Sequence, residues 1–72
     1  MTETITVKRK DLTVDADAEQ EALRSNILSC VTLHIELGET NNDKIMLVLE
    51  ANHASQIHKA KQCIKELGFS LY

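Results

Sequence analysis

Seventy-two residues with a net charge of -3, 43% hydrophobic and 26% charged, describe one folded domain spanning 1–72 rather than a disordered tail. The acidic balance argues against nucleic acid as a partner, and no apolar run reaches the length that crosses a membrane. Phe69 and Tyr72 are the only aromatics, so the core is expected to be aliphatic and to take in the last four residues.

Thr2–Lys8 alternates, with Ile5 and Val7 inward and Thr4, Thr6 and Lys8 outward, as a half-buried strand does. An alternating start is no apolar signal segment, and a cytoplasmic protein is expected. Lys8-Arg9-Lys10 resembles a phosphate-binding patch. A charge run at a strand end is more commonly solvated, and Asp11, Asp15 and Asp17 nearly cancel it. A first helix follows, with Asp17 as N-cap and Gln20 reaching back to it, or Asp15 as the rival cap. Its apolar stripe is Ala22, Leu23, Ile27 and Cys30, with Asn26 among them.

Val31, Leu33, Ile35 and Leu37 alternate with Thr32, His34 and Glu36, which predicts an amphipathic second strand. The polar Gly38–Asp43 segment reads as a hairpin loop. Lys44–Glu50 is the longest apolar run, with Ile45, Leu47 and Leu49 on one face and Met46 and Val48 on the other, as a central strand requires. A second helix, capped by Asn52 or Ser55, runs to about Leu67 with Ile57, Ala60, Ile64 and Leu67 inward. Gly68 ends it, and Phe69–Tyr72 forms a short last strand.

The order βαββαβ predicts an α+β, ferredoxin-like sandwich: an antiparallel sheet ordered 4-1-3-2 with both helices on one face. In that topology Cys30 and Cys63 fall at opposite ends of the helical layer. Neither a disulfide nor a shared metal site is then expected from them. His53 and His58 are five residues apart and turn away from each other on a helix, and His34 stands alone on the sheet, so no zinc or copper site is expected. Ser25, Ser29, Ser55 and Ser70 have no evident base, and the acidic loop residues Asp11, Asp15, Asp17, Glu39 and Asp43 match no calcium loop. No catalytic site, metal or cofactor is assigned, and the chain is read as a non-enzyme.

Ser29–Tyr72 resembles the second half of a heavy-metal-associated domain of the copper-chaperone type. The resemblance runs through a strand, a hairpin, an apolar strand and a helix closing in Ile64-Lys65-Glu66-Leu67-Gly68-Phe69. It implies the ferredoxin-like fold. Members of that family bind a soft metal through Cys-x-x-Cys in the loop after the first strand, and the corresponding Lys8–Asp17 has no cysteine. The metal activity is therefore not carried over to Cys30 or Cys63.

Helices on one side leave Met46 and Val48 on the open face, flanked by Thr4, Thr6 and His34, with Lys8, Glu36 and Glu50 as a rim. Two apolar side chains on the central strand of an open face call for a cover. The reading is a non-enzymatic protein-interaction or self-association module, either a homodimer or docked on a protein partner. A small-ligand regulatory domain or an atypical heavy-metal carrier is the alternative.

Overall fold

The computed structural model describes every residue from Met1 to Tyr72. Its elements are β1 (Thr2–Lys8), α1 (Ala16–Leu28), β2 (His34–Thr40), β3 (Lys44–Glu50), α2 (Ala54–Glu66) and β4 (Ser70–Leu71). The sheet order is β2-β3-β1-β4 with every pair antiparallel, which is the expected 4-1-3-2 arrangement read from the other edge. The fold is a ferredoxin-like α+β sandwich. No helix is long and apolar enough to cross a membrane.

β3 is central because both of its edges are paired. Seven consecutive pairs with β1 run from Thr2 opposite Glu50 to Lys8 opposite Lys44. This register puts Ile5 and Val7 beside Leu47 and Ile45 on the helix side. There they pack with Leu49, Leu23 and Ile27 of α1, and Ile57, Ala60 and Ile64 of α2.

Element boundaries differ from the sequence reading, three of them around β2. β2 begins at His34 rather than Val31. Helix α1 stops at Leu28, and the amides of both Cys30 and Val31 bond the Ile27 carbonyl, so Val31 is spent closing the helix end as a buried plug. The strand then runs three residues past Leu37, through a register shift between Leu37 and Thr40 that adds one residue to β2. Leu37, expected inward, is 45% exposed, because the helical layer does not close over this edge strand.

Gly38 fits the bulge because its backbone passes close to Met46. A Cβ there would stand 2.9 Å from Met46 Cγ. Gln20 holds the bulge: its Nε2 donates to the carbonyls of Gly38 and Met46, each at 2.9 Å. Gln20 is thus a buried strut and not the capping partner of Asp17. The N-cap of α1 is Asp15, and Asp17 instead accepts from the Thr40 hydroxyl.

Helix α2 starts from His53, not Asn52 or Ser55, because the Gln56 side chain accepts the His53 amide at 3.0 Å while its Nε2 donates to Thr32. At the other end Gly68 takes a φ of 92°. The amides of Gly68 and Phe69 bond the carbonyls of Lys65 and Ile64, the pairing of a Schellman motif. Of the last four residues, Phe69 and Leu71 pack against the core. Tyr72 does not. Leu71 pairs with Val7, so the next side chain falls on the opposite face, where Tyr72 is 65% exposed.

Candidate functional site

The outer face of the sheet is set by the same register that builds the core. Thr4 lies opposite Val48, Thr6 opposite Met46, and Glu36 opposite Val48 from the other side. Met46, Val48 and Thr6 are half-buried, while Thr4, His34 and Glu36 are exposed. His34 Nε2 lies 3.5 Å from Glu36 Oε1 along the edge strand. The five residues expected on this surface do share it.

Tyr72 belongs to the same surface and was missed by the sequence reading. Its amide donates to the Thr6 carbonyl at 2.9 Å, and Lys44 Nζ lies 4.9 Å from its ring centre. The period-two alternation from Leu71 was the available signal.

Charge is not spread evenly over this face. Lys8 and Lys44 are paired at one end, and Glu50 lies across the sheet from Thr2 and His34 at the other, with Glu36 beside it. The apolar centre therefore sits between a cationic end and an anionic one.

The loop after β1 carries no such surface. Lys8, Arg9 and Lys10 face three directions and do not form the suspected phosphate patch. Lys8 is on the open face, and Lys10 donates to the Leu67 carbonyl with its ammonium 4.7 Å from the Phe69 ring centre. Arg9 is buried, which corrects the expectation of a solvated charge run. Its Nε donates to Glu19 Oε1 at 2.9 Å, and its Nη2 donates to the carbonyls of Asp11 and Val14. Glu19 Oε2 accepts the amides of Lys10 and Asp11. Burial pushes the Glu19 carboxyl up, but the Arg9 hydrogen bond, the two amides and the Arg9 charge outweigh it and hold it below its ordinary range. The loop where the thiols of a heavy-metal-associated domain would stand is instead closed by a buried ion pair.

Two of the acidic loop side chains are engaged within the fold, Asp17 by the Thr40 hydroxyl and Asp11 by Thr13. Asp11 accepts from the Thr13 hydroxyl and amide, which lower its carboxyl below the usual range. No three His, Cys, Asp or Glu side chains converge on a common point.

The cysteines overturn an expectation. Cys30 and Cys63 were placed at opposite ends of the helical layer, yet Cys63 Sγ lies 2.9 Å from Cys30 Sγ. Each helix has only 13 residues, about 20 Å of length. Asn26 of α1 reaches the level of Cys63, whose thiol points at its carbonyl at 3.9 Å. The turn after Leu28 then carries Cys30 back along α2, into a cleft shared with Ser55 and Lys59. Sequence spacing gives no sign of this, since it depends on how the two helices cross. Cys30 is exposed and Cys63 is buried, and both are free thiols.

No family model matches this chain, and no curated protein matches it.

Proposed function

We propose that this chain is a non-enzymatic interaction module that associates with a second copy of itself through the open face of its sheet. The polarity of that face is the observation that carries the reading. A two-fold axis lying in the plane of the interface, crossing β3 at Leu47 perpendicular to the strands, reverses the strand direction in the second copy. Met46 then falls opposite the partner copy's Val48, and Lys44 opposite its Glu50. Such a contact is isologous and complementary in both hydrophobicity and charge. Met46, Val48 and Tyr72 supply the dry centre, with Thr4, Thr6, His34, Lys8 and Glu36 around it.

The magnitude follows from the size of the face. Three strands of seven residues and one of two cover roughly 350 Å² per copy, less than half of a standard interface side. The dimer is accordingly weak, in the micromolar range or above, and dissociates on dilution.

Sedimentation equilibrium from micromolar to millimolar protein tests this. Wild type is expected to show a concentration-dependent monomer–dimer equilibrium. Met46→Thr combined with Val48→Lys is expected to be folded by circular dichroism and monomeric throughout. A wild type that remains monomeric at millimolar concentration overturns the reading.

A further inference from the structure

Cys30 and Cys63 are 33 residues apart in the chain, with their sulfurs 2.9 Å apart across the junction of α1 and α2. We propose that this pair is a redox modification site, at which a small-molecule disulfide of the glutathione type converts the two thiols into an intramolecular Cys30–Cys63 disulfide.

Geometry is the first support. A disulfide has its sulfurs about 2.05 Å apart, so bond formation needs less than about 1 Å of approach. Cys30 lies beyond the last residue of α1, so the approach is made in the turn and not within that helix. The second support is the difference in access. Cys30 is exposed, whereas Cys63 is buried and meets an outside reagent only through Cys30. The third is the cleft beside Cys30, about 390 Å³ and lined by Ser29, Thr32, Ser55, Gln56 and Lys59 among others. One tripeptide half of such a disulfide can lie there against the sulfur, and Lys59 offers a cation to its carboxylates.

The roles divide accordingly. The thiolate is the attacking species in exchange, and burial pushes the Cys63 thiol up to about 11, with the hydrogen bond to Cys30 and the charges of Cys30 and Glu66 adding to it. Cys63 is thus the second sulfur to react and not the first. In the first step the deprotonated Cys30 attacks one sulfur of the small disulfide. A Cys30–S bond forms, the S–S bond of the reagent breaks, and one equivalent of small thiolate departs. In the second step Cys63 gives its proton to solvent and attacks Cys30 Sγ, which breaks the mixed disulfide and releases the second thiolate. Two protons and two electrons leave the protein, and one disulfide is reduced to two thiols. The product joins the end of α1 to α2 and closes a loop of more than thirty residues. It lies in the helical layer and leaves the open sheet face untouched, so it stands independently of the proposed self-association.

The experiment uses the full chain, reduced and then equilibrated in glutathione buffers of rising oxidised fraction. Acid quenching, alkylation, intact mass and peptide mapping report the products. Wild type is expected to give a monomer lighter by two hydrogens, with both thiols protected together and the Cys30 and Cys63 peptides linked. Thermal midpoint should rise by about 10 °C or more on oxidation and fall back with dithiothreitol. Cys63→Ala should accumulate the glutathione adduct on Cys30. The mapping of wild type stands whether or not that variant folds. A wild type that keeps both thiols alkylatable in excess oxidised glutathione overturns the proposal. So does one that stops at the mixed disulfide, or that forms disulfides between chains.

Discussion

β1 and β3 carry two rows of side chains with different fates. The helix-facing row is Ile5 and Val7, continued by Arg9, and Ile45, Leu47 and Leu49, none more than 9% exposed. The outward row is Thr4, Thr6 and Lys8, and Met46 and Val48, exposed or half-buried. On the inner side every group is consumed by the fold, including both charges of the row: Arg9 is neutralised by Glu19 and saturated with hydrogen bonds, and Glu3, at the other end of β1, pairs with Lys61 of α2. On the outer side nothing in the chain covers the apolar centre. Capacity to bind is what the fold has left unused, and in this chain it lies on the outer row.

The largest break in this comparison comes from the buried charge in the inner row. Arg9→Met leaves the Glu19 carboxylate buried with two amides and no cation, and is expected to cost about 3–5 kcal/mol in urea denaturation at neutral pH. The pH dependence gives a sharper reading. In wild type the folded-state carboxyl of Glu19 lies below its ordinary value of 4.5, so its contribution is full above that value. It drains away as pH falls through the depressed folded-state value. In the variant, burial is no longer opposed by the cation and raises the folded-state carboxyl, so protonation relieves the penalty. The gap between variant and wild type should therefore narrow as pH falls below about 5. A gap that stays constant over that range would mean that Arg9 acts by packing alone.

The next largest effect tests whether the rows are assigned to the right sides. Leu47 is fully buried from the middle of β3, and Leu47→Ala is expected to cost about 2–5 kcal/mol by equilibrium unfolding. In a small domain at the low end of the usual stability range, that leaves a substantial unfolded fraction at warm temperature. A loss below about half a kcal/mol is incompatible with a core on this side.

The inner row was legible because period-two alternation on strands and the Ile57, Ala60, Ile64 spacing on α2 are direct consequences of backbone geometry. Strand order followed from the doubly apolar β3. What escaped depends on tertiary placement. Val31 and Leu33 satisfy strand alternation as well as Ile35 does, and only the hydrogen bonds from Cys30 and Val31 to Ile27 remove them from β2. Arg9 and Glu19 are ten residues apart across a loop, a separation no local pattern encodes. The Cys30–Cys63 contact needed the level at which two short helices cross. On the open face, Met46, Val48, Thr4, Thr6 and His34 were readable from alternation. Tyr72 was drawn into the core because its aromatic ring outweighed its parity.

The smallest expected effect on stability is also the most specific test of the outer row. Lys44 and Glu50 are exposed at opposite ends of β3, so Lys44→Glu, which also removes the Lys44–Tyr72 contact, should change unfolding free energy by no more than about 1 kcal/mol. Its effect on association is expected to be larger, because the two-fold axis makes each substitution count twice. Every dimer loses two Lys44–Glu50 contacts and gains two like-charge ones. At about 0.2–1 kcal/mol for each lost exposed pair, with repulsion adding to it, the dissociation constant should rise by several-fold to tenfold at low salt. The rise should shrink as added salt screens the rim. Lys44→Glu with Glu50→Lys reverses the polarity of the face but preserves its self-complementarity, and should restore most of the wild-type affinity. An axis running along the strands would instead set Lys44 against Lys44, so that Lys44→Glu merely exchanges one like-charge pair for another. Sedimentation equilibrium of the three proteins at two salt concentrations separates the two geometries. Weakening by the single reversal with rescue by the double one requires antiparallel strands across the interface, and equal affinities for all three would rule that geometry out in favour of an axis along the strands.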